Sequence, residues 1–219
     1  MTKKVAVVLA GCGVYDGAEI NEAILTLLSL EQHGIAYQCV APNIEQMHVI
    51  NHLTGEVSNN EHRNVLVEAA RIARGNVLDI TKVNPSDYDA VVVPGGFGAA
   101  KNLSDFAVAG ADMVVQKDFL TFAQAFHQAN KPIVMMCIAP VMSAAICGEG
   151  VACTIGSDAE ISDAIIKMKA NHRDCLVEQC IVDDKNKLIT TPAYMLAGSV
   201  SDAFAGIAKS IEVLKTMLE

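Results

Sequence analysis

Basic residues are scarce in this chain: Lys and Arg total 16 against 25 Asp and Glu, for a net charge of −9. They form no cluster, so the electrostatic footprint that a phosphate backbone demands is missing, and DNA and RNA are excluded as expected partners. Long apolar runs are missing as well. The longest mostly apolar stretch, Ile133 to Cys147, is interrupted by Pro140 and Ser143 and falls short of the roughly 18 residues that cross a bilayer. The apolar run after Lys3-Lys4 meets Gly11-Cys12-Gly13 too soon for the core and cleavage site of a signal peptide. A cytoplasmic protein with no membrane partner is expected. No C-x-x-C occurs, and seven cysteines, an odd number, suit reduced thiols better than a disulfide framework. Cys175 with Cys180, and His48 with His52, each lack the second pair of a structural zinc site, so no metal is expected. No repeat or low-complexity linker divides the chain.

What is present is apolar. Hydrophobic residues make up 52% of 219 positions, enough for one well-buried domain over residues 1–219. Strand-like and helix-like segments alternate. Strands are predicted at 4–10, 35–41, 88–93, 133–136, 177–182 and 187–191. Helices are predicted at 19–33 (closed by Gly34), 64–74 (closed by Gly75), 111–130, 139–147, 160–170 and 200–218. Residues 42–62 break the pattern with dispersed Asn, His, Thr and Gly, and are read as an irregular excursion placed to cover a site. The alternation implies a largely parallel α/β sheet with helices on both faces.

Two segments carry chemistry. In Lys131-Pro132-Ile133-Val134-Met135-Met136-Cys137-Ile138-Ala139-Pro140 an apolar strand runs into a cysteine and then a helix. Ala139 and Pro140 suit a first helical turn, whose N–H groups have no partner. Cys137 at that turn meets free amides and a helix N-terminus, which favour the nucleophilic thiolate. It also lies at the carboxyl end of a strand, where open α/β sheets bind ligands. In Val91-Val92-Val93-Pro94-Gly95-Gly96-Phe97-Gly98 a second buried strand ends in glycines whose amides can approach a ligand and serve as an oxyanion hole.

The blocks Gly11-Cys12-Gly13-Val14-Tyr15-Asp16-Gly17-Ala18-Glu19, Asn51-His52-Leu53-Thr54-Gly55-Glu56, Pro94 to Ser104, Met136-Cys137-Ile138-Ala139-Pro140 and Thr190 to Ala197 closely resemble the ElbB proteins. These are a branch of the PfpI-type, class I glutamine amidotransferase-like superfamily. The resemblance runs from Lys4 to the last helix. It implies a flavodoxin-like three-layer sandwich, a homodimer, a glyoxalase-like activity and a nominal link to isoprenoid (lycopene) biosynthesis. It places the superfamily's nucleophile on Cys137, its acidic partner on Glu22, with Glu19 as competitor, and its strand-end glycines on Gly95 and Gly96. Asp16, Asn102 and Pro192 in the matched blocks are expected at the substrate, Asp16 having the competing role of an Asx-type N-cap.

The pattern is also departed from. Amidotransferases of this fold activate cysteine with a histidine, yet Ile138 follows Cys137, Thr190 to Tyr194 contains no His, and only His172 lies downstream. A glutaminase triad is therefore not expected. The expected activity is a lyase of the hydro-lyase class, a glyoxalase needing neither glutathione, metal nor other cofactor. It converts a small dicarbonyl, glyoxal to glycolate or methylglyoxal to lactate. Cys137 forms a hemithioacetal, amides at Gly95, Gly96 and Ile138 hold the oxyanion, and Glu22 moves the proton. Two alternatives stay open: a non-enzymatic redox-sensing or interaction protein built on a reactive Cys137, and a hydrolase or lyase with a Cys137–His172 dyad.

Overall fold

The computed structural model describes residues 3–219. In chain order the elements are β1 (Lys4–Val8), α1 (Ile20–Gln32), β2 (Ala36–Ala41), α2 (Val65–Ile72), β3 (Val77–Asp79), β4 (Ala90–Val93), α3 (Phe97–Lys101), α4 (Phe106–Ala109), α5 (Lys117–Gln128), β5 (Ile133–Met136), α6 (Ser143–Cys147), β6 (Ala152–Cys153), α7 (Ala159–Lys167), β7 (Asn171–His172), β8 (Ile181–Asp183), β9 (Leu188–Thr191) and α8 (Val200–Leu218). Seven strands form one sheet in the order β3-β2-β1-β4-β5-β9-β8, and β6 pairs with β7 in a separate ribbon. All pairs in the main sheet are parallel except β8 with β9 at the edge. Strands β1, β4, β5 and β9 are almost wholly buried Val, Ala, Ile, Leu, Met and Thr, the near-continuous apolar runs of a sheet covered on both faces. Helices α1, α2 and α8 lie on one face, and α5 and α6 on the other. This is the flavodoxin-like sandwich implied by the sequence.

Strand order reverses between β1 and β4, so their carboxyl ends, with those of β5 and β9, open into one crevice. Helix α1 enters it directly. Glu19 is its N-cap, its carboxylate accepting the Glu22 N–H at 2.6 Å. Gly34 follows the helix at φ 68, where a residue with a Cβ is disfavoured.

Several predicted elements are corrected. The helix expected over 111–130 begins only at Lys117, because Val115 bridges Ser104 and Gln116 caps the helix by accepting the Phe119 N–H. The segment 139–147 divides into a 3-10 turn, Ala139–Met142, and α6. The strand expected over 177–182 starts at Ile181, since Leu176 to Gln179 form a turn closed by the Gln179 N–H on Leu176 O. Short elements β3, α3, α4, β6 and β7 carry too few residues to show a period.

Candidate active site

Cys137 follows β5 in the left-handed region at φ 58, a conformation that costs a non-glycine residue about 1–3 kcal/mol. The position is held by its own N–H, which donates to Thr191 O of β9 at 3.0 Å. A sharp turn of this kind lifts the side chain from the sheet edge into the crevice. Cys137 is 8% exposed, and the amides of Gly96 and Ile138 point at its sulfur.

Glu22 is fully buried in the first turn of α1. Its two oxygens accept one backbone N–H each, Gly95 at 2.8 Å and Tyr194 at 3.1 Å. The carboxyl group is thereby aimed between β4 and β9 toward the thiol. A methyl group at Gly95 would stand 2.3 Å from Cβ of Cys137 and 2.8 Å from Oε2 of Glu22, so the two side chains close on the same glycine. Of the two acids expected near the thiol, Glu22 faces Cys137, and Glu19 caps the helix at the cavity wall.

Burial pushes Glu22 up to about 7, helped by the charge of Glu19 and opposed by the Tyr194 and Gly95 amides and by Cys137. Burial and the Glu22 charge push the Cys137 thiol up, against the pull of the Gly96 and Ile138 amides. The resting thiolate expected from the helix N-terminus is thus corrected. Cys137 and Glu22 titrate as a pair, and with Glu22 protonated the repulsion is gone and its O–H can support a thiolate.

The folded-state value of Glu22 lies above the ordinary carboxylate value. Its stability contribution is therefore complete below pH 4.5 and lost as pH rises through about 7. Over that window the unfolding free energy falls by about 3 kcal/mol on account of this group. Urea denaturation between pH 4.5 and 8 should show the loss in the parent, and Glu22→Gln should flatten the slope.

Among the other expected residues, Gly95 is corrected: its N–H serves Glu22 and is not free for an oxyanion. Asp16 is not the α1 cap, which is Glu19, and it does not line the cavity above Cys137. It is 1% exposed, and its Oδ2 accepts the Ile50 N–H at 2.7 Å, pinning the excursion at residues 42–62 to the loop after β1. Asn102 works alongside it, accepting from Met47 N–H at 3.0 Å and donating to Ala10 O and Asp16 O, both at 2.9 Å. Asp16→Ala leaves a buried N–H unpaired at a cost of about 1–3 kcal/mol. Limited proteolysis should then cut within 51–61 faster than in the parent. Pro192 is buried at the start of a 3-10 turn, and Tyr194 and Met195 beyond it reach the cavity instead.

The cavity above Cys137 holds about 260 Å³. Its walls include Val14, Phe97, Phe106, Ile138, Ile161 and Met195, with Glu19 the one charged side chain and no histidine. No residue of the 42–62 excursion lines it, contrary to the expected cover. The excursion connects to the cavity through His52, which accepts the Tyr15 N–H at 3.2 Å and lies against the Tyr15 ring (centroids 5.0 Å apart), Tyr15 in turn lying 6.5 Å from the Phe97 ring. His172 lies on β7, its Nε2 accepting the Ile155 N–H at 3.3 Å, and does not line the cavity, so the structure gives no Cys137–His172 dyad. Phe106, Ile161 and Met195 went unrecognised in the sequence because an apolar residue in a short helix reads as core.

The inner side of the site is a seam of main chain. Glu19 N–H donates to Gly95 O, Phe97 N–H to Val14 O and Gly98 N–H to Gly17 O, at 2.7 to 2.9 Å. A Cβ at Gly96 or Gly98 would come within 2.5 Å of backbone atoms across the seam, and one at Gly17 would stand 2.3 Å from the Cys12 nitrogen in its own loop.

The sequence pattern of the DJ-1/PfpI family matches residues 3–197. The human glutamine amidotransferase-like class 1 domain-containing protein 3, mitochondrial, is 45% identical over 217 residues, covering 95% of this chain and 81% of that protein. The rat ES1 protein homolog, mitochondrial, is 43% identical over 218 residues, covering 95% and 82%. An Ehrlichia chaffeensis isoprenoid biosynthesis protein with amidotransferase-like domain superposes with a TM-score of 0.93 at 38% identity over the full length of both chains. Glyoxalase III from Candida albicans superposes with a TM-score of 0.61 at 15% identity over 97% of each chain, a likeness of fold alone. Among the described residues no helix is long and apolar enough to cross a membrane.

Proposed function

Because the chain belongs to the DJ-1/PfpI family, we propose that it is a glutathione-independent glyoxalase, forming glycolate from glyoxal and lactate from methylglyoxal. The observation that carries this reading is the Cys137–Glu22 pair. A buried carboxyl group poised at about 7, held by two amides beside a thiol, suits repeated proton transfer near neutral pH.

Glu22 takes the thiol proton as sulfur adds to one aldehyde carbon, and charge passes to the former carbonyl oxygen beside the Gly96 and Ile138 amides. Glu22 returns that proton to the oxygen, completing the hemithioacetal. Its carboxylate then removes the hydrogen from the sulfur-bearing carbon, giving an enediolate; the hydroxyl proton on that carbon passes to the neighbouring oxygen, and Glu22 delivers the proton it took to the neighbouring carbon, giving a thioester. Water hydrolyses the thioester to the 2-hydroxy acid and frees Cys137. The sum is dicarbonyl plus water to hydroxy acid, with no oxidant or reductant.

The test is glycolate formation from glyoxal by purified protein, without glutathione and with a chelator present. Turnover is expected. No turnover would move the assignment to a thiol sensor, recognised by stoichiometric oxidation of Cys137 under mild peroxide. The homodimer belongs to the same proposal and is read from the sedimentation mass.

A further inference from the structure

The cavity is poorly matched to glyoxal. Glyoxal fills roughly two water volumes, about 60 Å³ at about 30 Å³ each, against about 260 Å³ above the thiol. It is strongly polar and readily hydrated. The walls beyond the amides that face sulfur are mostly the side chains of Val14, Phe97, Phe106, Ile138, Ile161 and Met195, which satisfy none of its oxygens, with Tyr194 and Glu19 the polar side chains among them. Anionic dicarbonyls fit no better. No Lys, Arg or His lines the space, the Glu19 carboxyl group stands in its wall, and nearby Lys101 donates to Tyr15 O at 2.8 Å.

We propose that this site takes neutral 2-oxoaldehydes carrying a branched or aryl substituent in preference to glyoxal, the aldehyde meeting Cys137 and the substituent filling the space between Phe106, Ile161 and Met195. The proposal rests on the glyoxalase reading for its chemistry, and on the cavity for its ligand class. The steps are those above with the substituent on the second carbon. Sulfur bonds to the aldehyde carbon, whose hydrogen moves to the ketone carbon, and hydrolysis of the thioester gives the substituted 2-hydroxy acid. The apolar group is the larger part of such a substrate. Even one methylene in an apolar pocket is worth about tenfold or more in kcat/KM.

The experiment compares kcat/KM for phenylglyoxal and glyoxal in the parent, in Ile161→Asn and in Met195→Gln, two partly exposed positions. A second arm follows the methyl resonances of Ile138, Ile161 and Met195 during titration with acetophenone, which lacks the aldehyde, and with acetone. Phenylglyoxal is expected to be favoured at least about tenfold in the parent, with the ratio falling about tenfold in each variant. Acetophenone, and not acetone, should shift the three methyls. Glyoxal turned over as well as phenylglyoxal overturns the proposal while the glyoxalase reading stands. Acetophenone binding without turnover of either aldehyde removes the glyoxalase reading and supports the ligand class. Methyl resonances unmoved by acetophenone overturn it whatever the kinetics.

Discussion

On the proposed glyoxalase reading, Cys137→Ser is expected to lower glycolate formation from glyoxal by at least about a thousandfold, equivalent to about 4 kcal/mol of transition-state stabilisation. The magnitude follows from the partner. Glu22, held at about 7, is matched to a thiol far better than to a hydroxyl, whose proton it cannot take at a useful rate. No histidine lines the cavity to stand in as a base. The turn survives the change, since it is held by the Cys137 N–H on Thr191 O, a bond a serine makes equally well. The melting temperature should therefore stay within a few degrees of the parent, separating lost chemistry from lost fold. Full turnover by Cys137→Ser would end the hemithioacetal scheme.

Gly95→Ala strikes both Cys137 and Glu22 with one methyl. The new carbon would lie 2.3 Å from Cβ of Cys137, 2.8 Å from Oε2 of Glu22 and 2.9 Å from Met136 O. No rotamer relieves a contact to a Cβ or a main-chain oxygen, so β4 and β5 must part. A destabilisation of about 3 kcal/mol is expected, at the upper end for overpacking, together with loss of measurable turnover. Gly198→Ala is the matched control: its nearest foreign atom lies 3.6 Å away and its backbone needs no left-handed angle. Chemical denaturation of the two variants should differ by the full amount. A Gly95→Ala protein as stable and active as the parent would mean that the glycine is not the floor of the site.

Cys137 was legible in the sequence because it is a local event, an apolar strand meeting a nucleophile and then helix-starting residues. Its environment was not local. The thiol is raised by burial and by a carboxyl group 115 positions earlier in the chain, and no pattern around Met136 encodes that charge. Glu22 itself came only through resemblance, since an acid in a first helical turn is ordinary. Gly95 and Gly96 were recognisable as a pair, but which amide faces sulfur depends on peptide orientation, and that is set by Glu22 from another element. Asp16 and Asn102 were drawn to the substrate by their matched blocks, and in fact bind the excursion to the β1 loop. The break before α5 depends on the bridge of Val115 to Ser104, a pairing that helical periodicity cannot register.

The main-chain seam on the inner side of the site leaves the cavity lining with unequal room for new side chains. At Gly96, which lines the cavity, and at Gly17 and Gly98 beside it, a Cβ has no room against the backbone. Phe106, Ile161 and Met195, by contrast, line the cavity with partly exposed side chains at the edge of the core. A substitution that reshapes the cavity is thus accommodated at Phe106, Ile161 or Met195 and not at the glycines of the seam.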